Sequence, residues 1–237
     1  MANPFFQFKQ FTVYHDKCAM KVGTDGVLLG AWTQTAEARN ILDIGTGTGL
    51  IALMLAQRTT AIIDAIDIDA DACLQAKENS QASPFSDRIH IHHQPLASFK
   101  KGKKETYDLI VSNPPYFVHS LKSPEEKRNL ARHTESLSLE ELIGDSKEML
   151  SPSGRICLIL PSDQEEILRQ TIERHTLYIR RKTHVIPVSG GTVKRILIEL
   201  SKTPAVHIET EELVLEEKRH QYTPQYTALT QAYYLKM

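Results

Sequence analysis

Short apolar runs alternate with stretches of helical periodicity through most of the chain, and this alternation predicts strands separated by helices. The predicted strands are mostly apolar, and they span 40–45, 61–67, 88–93, 107–112, 155–160, 177–188 and 194–200. The predicted helices span 49–58, 70–81, 138–150 and 162–175. Ser138 with Glu141 and Ser162 with Glu165 have the spacing of capping boxes. The pattern predicts an α/β fold, with a mostly parallel seven-stranded sheet and helices on both faces.

The two ends of the chain have different patterns from this central part. Residues 1–39 combine short aromatic strands, possible partners in a hairpin, with a glycine-punctuated turn over 21–32 that leads into an apolar helix. Residues 201–237 are polar and rich in tyrosine, and we expect them to pack on the core. We therefore interpret 1–237 as a single domain, in which an N-terminal and a C-terminal extension flank a core over 40–200.

Composition and charge exclude several classes of protein. Lys and Arg number 28 and Asp and Glu 29, and this near balance argues against a strongly basic, sequence-blind nucleic-acid coat. The three cysteines are far apart and form no CxxC pair, which argues against a zinc ribbon and suits a reducing cytosol. Apolar runs fall well short of the roughly 20 residues that a membrane helix needs. We expect a cytoplasmic protein without metal or membrane contact, either a monomer or a weak oligomer.

A glycine-rich turn joins the first core strand to the helix after it. Gly45, Gly47 and Gly49 let the backbone turn tightly and approach a ligand, and the helix start offers N–H groups to an anion. The pattern that binds a nicotinamide dinucleotide has a further glycine at the position of Leu50 in this chain. The sequence therefore disfavours nicotinamide dinucleotides as the cofactor. The spacing DxGxGxG, which begins at Asp43, resembles motif I of class I methyltransferases, whose cofactor is S-adenosylmethionine.

Acidic residues follow at the end of the second core strand, where ribose hydroxyls of a nucleoside cofactor are commonly held. Asp67 fits the strand end best, Asp69 has the position of a helix cap, and Asp64 has that of an ordinary strand residue, so three candidates stay open. After the third core strand, Gln94 stands where such methyltransferases often carry an Asp or Asn that contacts the cofactor adenine. Its amide both donates and accepts hydrogen bonds, so it is a candidate for that contact.

The motif Asn113-Pro114-Pro115-Tyr116 follows the fourth core strand, and we assign its four residues as catalytic. Two prolines lock the backbone and remove two N–H donors. The Asn113 oxygen and the Pro114 carbonyl can then accept both N–H bonds of a planar amino group, while Tyr116 stacks on its ring. Such a nitrogen is a poor nucleophile, and two accepted hydrogen bonds favour a more pyramidal form, aligned with an activated methyl group. Asn113 is also expected to contact the cofactor.

The DIGTGTG and NPPY motifs together resemble the class I amino-methyltransferases, which act on adenine N6, guanine N2 or glutamine N5. Five further stretches, spread from near the first residue to the last, resemble bacterial tRNA (adenine-N6)-methyltransferases of a valine tRNA. These stretches are FQFKQFTV, KVGTDGVLLGAW, NPPYF, ARHTESLSLEEL and YTPQYTALTQAYYLKM. The resemblance implies a Rossmann-like class I methyltransferase fold and methyl transfer from S-adenosylmethionine to N6 of an adenine beside the anticodon, adenine 37.

The resemblance also implies roles for residues outside the two motifs. Lys21, Thr24 and Asp25 would line the methionine end of the cofactor, and Asp43 would approach its amino group; a plain turn before a helix is the alternative for the first three. Arg132 and His133 would lie near the substrate entrance, unless they only complement a helix C-terminus. The residues expected to contact the tRNA are Phe117, Arg132 and His133, together with three residues of basic clusters that can hold phosphates, Lys127, Arg180 and Arg181.

Other functions stay open from the sequence. A glutamine-N5 protein methyltransferase shares NPPY and the cofactor. Such an enzyme usually carries a helical substrate domain before the core, whereas only about 40 residues precede the core in this sequence. A guanine-N2 methyltransferase of ribosomal RNA shares both motifs. A non-catalytic S-adenosylmethionine-binding protein is the alternative outside enzymes, and the intact NPPY motif argues against it.

Overall fold

The computed structural model describes residues 3–18, 20–115 and 137–236 of the chain. The strands are β1 (Phe5–Gln7), β2 (Thr12–Tyr14), β3 (Asn40–Ile44), β4 (Ile62–Asp67), β5 (Ile89–His93), β6 (Tyr107–Ser112), β7 (Leu150–Pro161), β8 (Tyr178–Val188), β9 (Arg195–Ser201), β10 (Glu209–Lys218) and β11 (Gln221–Tyr222). The helices are α1 (Thr24–Trp32), α2 (Leu50–Ala56), α3 (Ala70–Gln81), α4 (Leu96–Phe99), α5 (Leu139–Met149), α6 (Glu165–Arg174) and α7 (Pro224–Thr230). In these ranges no helix has both the length and the apolar character needed to cross a membrane.

A nine-stranded sheet in the order β11-β10-β8-β9-β7-β6-β3-β4-β5 forms the centre of the molecule. Five strands that are adjacent in this order, β7, β6, β3, β4 and β5, are parallel to one another. Strand β9 runs antiparallel to both β7 and β8, between which it lies. The α/β class is confirmed, and all seven predicted strands form. The predicted strand number is corrected from seven to nine, because β10 and β11 of the C-terminal extension continue the sheet beyond β8. Leu213 of β10 is buried, which ties this added strand to the core.

Continuous apolar runs become strands here because both faces of the sheet are covered. Ile41 of β3 belongs to a buried cluster with residues of α1, α2 and α7, whereas Leu42 and Ile44 belong to a cluster with residues of α4, α5 and α6. Successive side chains of a strand point to opposite faces, so a strand between two helical layers needs apolar residues at every position. This arrangement leaves the carboxyl ends of the strands as the place for polar chemistry.

Helix α1 lies close against α2, and the contact depends on two glycines spaced four residues apart. A Cβ at Gly30 would stand 2.7 Å from the Met54 sulfur, and a Cβ at Gly26 would stand 3.0 Å from a Leu50 methyl carbon. Leu50, which takes the place of the third dinucleotide glycine, therefore fills the space beside Gly26, and Met54 fills the space beside Gly30. The close contact positions the start of α1 beside the glycine-rich turn.

The two predicted capping boxes have different outcomes. Ser138 accepts a hydrogen bond from the Glu141 amide at the start of α5, and the Glu141 carboxylate accepts one from the Ser138 amide, so this box is confirmed. The second box is wrong, because a 3-10 turn over Ser162–Gln164 delays the start of α6. The Ser162 hydroxyl instead donates to the Val193 carbonyl at 2.9 Å.

Both extensions contribute to the same core as the central part. The predicted N-terminal hairpin forms from β1 and β2, and Phe8, just after β1, makes an isolated antiparallel bridge with Tyr234. The hydroxyl of the buried Tyr233 donates to the Met54 carbonyl of α2 at 3.1 Å. The division into 1–39, 40–200 and 201–237 stays a prediction, and these contacts show how closely its parts pack.

Candidate active site

A cavity of about 1000 Å3 opens at the carboxyl ends of β3, β4, β5 and β6. Strand order reverses between β3 and β6, since the chain continues from β3 to β4 on one side and places β6 on the other. Open α/β sheets bind ligands at such a switch point. The volume lies at the upper end of the roughly 300–1,000 Å3 usual for small-molecule sites. It has room for a nucleoside cofactor together with part of a second substrate.

The register of β3 and β6 brings the two sequence motifs together. Ile44 pairs with Ser112, and the Ser112 hydroxyl donates to the Ile44 carbonyl at 2.8 Å. Gly45 and Asn113 are the next residues on these neighbouring strands, so the glycine turn and the Asn-Pro-Pro segment leave the sheet side by side. Asn113, Pro114 and Pro115 all line the cavity. Tyr116, the fourth proposed catalytic residue, lies outside the described residues.

The three glycines of the turn adopt backbone conformations that favour glycine, with φ of +72° at Gly45, +55° at Gly47 and +80° at Gly49. Gly45 and Gly47 line the cavity, as expected of cofactor-binding residues. Gly49 does not line the cavity, and its role in cofactor binding stays a prediction. A Cβ there would stand 3.3 Å from the Ala76 Cβ of α3, so Gly49 serves helix packing at the back of the turn.

The backbone amides of the turn are already used within the protein. Gly45 and Thr46 both donate to the Ile66 carbonyl, at 2.9 and 3.0 Å, and Gly47 donates to the Asp67 carboxylate at 2.9 Å. The N–H groups expected to face an anion are those at the start of α2, and these three amides of the turn are not available to one. A pyrophosphate needs such amides free. A cofactor that carries a cationic sulfur and no phosphate does not, so the turn fits S-adenosylmethionine better than a dinucleotide.

Asp67 is the acid that lines the cavity at the end of β4. Its two carboxylate oxygens accept the amides of Gly47, at 2.9 Å, and Asp69, at 3.0 Å. Each oxygen keeps a lone pair with which it can accept from a hydroxyl of a ligand. Asp69 also reaches the cavity, but its carboxylate caps α3 by accepting from the Asp71 and Ala72 amides, as its position predicted.

Asp64, the third candidate acid, is engaged away from the cavity wall. Its carboxylate accepts from the Tyr107 hydroxyl at 2.5 Å, contacts His92 Nε2 at 2.7 Å and accepts from Lys103 at 3.2 Å. Burial acts to raise the pKa of Asp64, but the hydrogen bonds from Tyr107 and His92 and the Lys103 charge hold it below its usual value. The carboxylate thus ties β4 to β5 and β6, which leaves Asp67 as the acid presented to a ligand.

The wall beside the glycine turn contains the residues expected near the methionine end of the cofactor. Lys21, Thr24 and Asp25 all line the cavity at the start of α1. The Asp25 carboxylate accepts from Arg195 Nε at 2.8 Å, and this ion pair links α1 to the start of β9. On another wall, Gln94 lines the cavity directly after β5.

Asp43 is fully buried below the glycine turn and does not line the cavity, and its expected contact with the cofactor stays a prediction. One carboxylate oxygen accepts from the Thr46 hydroxyl at 2.7 Å, and the backbone amide of Ala52 in α2 also points to the carboxylate. Burial raises the pKa of Asp43 from its ordinary value of 3.8 to about 7, against the lowering effect of the Thr46 hydroxyl. Asp43 shapes the turn from beneath.

This raised pKa makes stability depend on pH. The folded chain holds a proton on Asp43 between pH 3.8 and about 7, where the unfolded chain has released it. The free energy of unfolding should therefore fall as pH rises through this window and level off above it. Between pH 5 and 7 we expect wild type to lose about 2 kcal/mol relative to the Asp43→Asn variant, measured by urea denaturation. Parallel pH profiles for the two proteins would contradict this.

Of the proposed tRNA contacts, the structure describes only Arg180 and Arg181. Arg181 is 13% exposed, donates to the Trp32 carbonyl at 2.8 Å and stacks on the Trp32 ring at 3.6 Å. Arg181 therefore packs against Trp32, and its proposed contact with tRNA stays a prediction. Arg180 is 45% exposed and stays a candidate. Phe117, Lys127, Arg132 and His133 lie outside the described residues.

Several cavity residues carry no signal in the sequence. Ile68, beside Asp67, is an exposed apolar residue that lines the cavity, as a wall for a flat ring would. Short helix α4 covers another side with Leu96, but its four residues are too few for a periodic pattern. Glu141 and Asp145 of α5 also reach the cavity, although the pattern identified Glu141 only as a cap.

Comparisons with known proteins agree with this geometry. The family described as methyltransferase small domain matches residues 18–187 of the chain. A protein of Parabacteroides distasonis, named tRNA1(Val) (adenine(37)-N6)-methyltransferase, is 57% identical over 237 residues, which cover 100% of both chains. A protein of the same name from Phocaeicola vulgatus is 49% identical, again over 100% of both chains.

A solved structure supports the fold independently of close sequence similarity. The crystal structure of a predicted O-methyltransferase from Agrobacterium tumefaciens superimposes with a TM-score of 0.67 at 20% identity. The match covers 88% of this chain and 96% of that one. At this level of identity the similarity concerns the fold alone, and it extends over nearly the whole of the solved chain.

Proposed function

Because the chain belongs to the methyltransferase small domain family, and within it to the tRNA1(Val) (adenine(37)-N6)-methyltransferases, we propose that it methylates N6 of adenine 37 in a valine tRNA. The observation that carries this proposal is the shared cavity, which holds the Asn-Pro-Pro segment beside the glycine turn. The methyl donor is S-adenosylmethionine, the cofactor expected of this family. An amino group presented to Asn113 in that cavity lies next to the place where the cofactor binds.

The residues around the cavity fit this cofactor. When bound, S-adenosylmethionine supplies a methyl group activated by a positively charged sulfur. Asp67 would accept hydrogen bonds from its ribose, Gln94 would contact its adenine, and Lys21, Thr24 and Asp25 would surround its methionine end. The carboxylates of Asp67 and Asp69 also give this wall a negative charge that complements a cationic ligand.

Asn113 and Pro114 would hold the amino group that receives the methyl. Proline has no N–H, so the Asn-Pro-Pro backbone presents carbonyl acceptors without competing donors. The Ser112 hydrogen bond to Ile44 fixes the strand end from which these residues project. All three residues line the cavity, where Pro114 is buried, Asn113 is half-buried and Pro115 is exposed. Orientation of the amino nitrogen by two fixed acceptors is the contribution we assign to this segment.

The anticodon loop suits this arrangement as a substrate. Its bases are unpaired and easily splayed, so an adenine enters a cavity without the melting of a duplex. Tyr116 would stack on that base and Phe117 would extend the contact. Lys127, Arg132, His133 and Arg180 would contact the surrounding RNA.

Radiolabelled S-adenosylmethionine tests the proposed function directly. The purified protein is incubated with the labelled cofactor and total tRNA, and the nucleosides are separated after digestion. Label should appear in N6-methyladenosine, and a valine tRNA transcript with guanosine at position 37 should stay unlabelled as the matched control. Label found only in added protein, or only in guanosine of ribosomal RNA, would contradict the proposal.

A further inference from the structure

One face of α3 is buried although it is polar. Gln75 and Asn79, four residues apart and so on the same side of the helix, are 1% and 0% exposed. Amides are rarely buried to this degree unless their hydrogen bonds are made, because an unpaired buried amide is costly. The same side carries Ala76, which contacts Gly49 of the glycine turn. The polar face therefore adjoins the cofactor cavity from behind.

Asn79 connects two segments that are far apart in the sequence. Its Nδ2 donates to the Tyr14 carbonyl at 2.8 Å and to the Thr48 carbonyl at 2.9 Å, and its Oδ1 accepts from the Tyr14 amide at 2.9 Å. The orientation of the side chain is unambiguous, since carbonyls only accept and an amide N–H only donates. Asn79 thus joins the end of β2 to the glycine turn.

Gln75 and Glu78 hold the residues that follow β2. The Gln75 Oε1 accepts from the Lys17 amide at 3.0 Å, and the Lys17 ammonium forms an ion pair with Glu78. We call residues 14–18 together with 20–21 the N-terminal strap. Contacts from one face of α3 therefore attach the strap at both Tyr14 and Lys17.

The far end of the strap forms a wall of the cavity. Cys18, Met20 and Lys21 line it on one side, and Thr48 of the glycine turn lines it on the adjoining side. The Cys18 sulfur stands 4.0 Å from the position of a Cβ built on Gly47, so strap and turn nearly touch. Met20 is largely exposed, as expected of an apolar side chain that a ligand covers on binding.

We propose that Asn79 and Gln75 are positioning residues that dock the N-terminal strap against the glycine turn and thereby set the affinity for the cofactor. This inference rests on the proposed function only for the identity of the cofactor. A strap that is already ordered loses less conformational entropy when a ligand closes against it, so docking strengthens binding. Both side chains are buried and neither lines the cavity, so we expect them to act on binding of the cofactor and not on the transfer step.

The Asn79→Asp variant tests the role of Asn79. Aspartate has nearly the same size, but it lacks both donors and places a carboxylate against two carbonyl oxygens. The Kd for S-adenosylmethionine, measured by calorimetry, should rise about 10-fold or more, since two buried hydrogen bonds are lost. Hydrogen exchange at the Tyr14 and Lys17 amides should accelerate in the ligand-free protein. Turnover at saturating cofactor and KM for tRNA should stay within about twofold of wild type, a split that general destabilisation would not produce.

Thr183→Val is the matched control. It removes a buried hydrogen bond of similar length, from Trp32 Nε1 to the Thr183 hydroxyl at 2.9 Å, at the end of α1 away from the cavity. This variant should lose stability but keep the wild-type Kd. A folded Asn79→Asp protein with the wild-type Kd, or an equal rise in Kd for Thr183→Val, would overturn the inference.

Gln75→Met decides the question if Asn79→Asp does not fold. It keeps the size of the side chain and removes only the acceptor of the Lys17 amide, so the Kd should rise about threefold and exchange at Lys17 should accelerate. An unchanged Kd and unchanged exchange would overturn the inference. A wild-type protein that fails to bind S-adenosylmethionine would contradict the proposed function itself. If the wild-type protein binds the cofactor and the variants bind it with the same Kd, only the positioning role is contradicted.

Discussion

The Asn113→Ala variant is expected to lose turnover by a factor on the order of 100 or more while it binds S-adenosylmethionine within about threefold of the wild-type Kd. The side-chain oxygen is the acceptor that orients the amino group, and alanine leaves that group with the Pro114 carbonyl alone. Single-turnover methylation of tRNA measures the loss in the chemical step, and calorimetry measures cofactor binding separately.

Asn40→Ala is the matched control for this experiment. Asn40 is an exposed asparagine at the amino end of β3, on the opposite edge of the sheet from the cavity, and its backbone amide rather than its side chain bonds to Asp108. We expect wild-type turnover from this variant. Normal single-turnover rates for Asn113→Ala would show that the Asn-Pro-Pro segment does not orient the amine.

The Asp67→Ala variant should raise the Kd for S-adenosylmethionine by a factor on the order of 100. The change removes the carboxylate that would accept the ribose hydroxyls, and it also releases the Gly47 amide, which Asp67 now holds at 2.9 Å. Both losses act where the cofactor binds, so we expect a larger effect on the affinity for the cofactor than on the stability of the fold. Calorimetric titration gives the affinity, and thermal unfolding gives the stability.

Asp64→Asn separates this effect from the general loss of an acid in β4. Asp64 holds Tyr107, His92 and Lys103 outside the cavity, so the variant should lose stability while its Kd stays near that of wild type. The reverse pattern, with affinity lost in Asp64→Asn and retained in Asp67→Ala, would transfer the ribose contact to Asp64.

Local patterns predicted the elements of the core well. The helix over 70–81 and the strand over 107–112 form with the expected bounds, because apolar spacing and a cap at Asp69 define them without distant contacts. The placement of Asn113 and Asp67 at one cavity was also predictable. Both follow parallel strands, and the carboxyl ends of such strands meet at one edge of a sheet.

Residues whose role depends on distant partners were predicted less well. Asp43 belongs to a known motif, yet its side chain is buried below the turn. Arg181 was assigned to RNA from its charge, and in the structure its guanidinium stacks on the ring of Trp32, which lies 149 residues earlier in the chain. Ser162 had the spacing of a cap, but its hydroxyl donates a hydrogen bond to the Val193 carbonyl in the β8–β9 connection. Charge and spacing describe what a side chain can do, and its neighbours decide what it does.

The sequence by itself determined the α/β class, the order of the core elements and the two motifs at strand ends, because these depend on periodicity, on the conformational freedom of glycine and on the rigidity of proline along a short stretch of chain. Only the tertiary structure decided that β10 and β11 widen the sheet, that Asp67 rather than Asp64 faces the cavity, and that Asn79 joins Tyr14 to Thr48. The reason is physical: burial and hydrogen-bond partners are set by segments that meet only when the chain has folded.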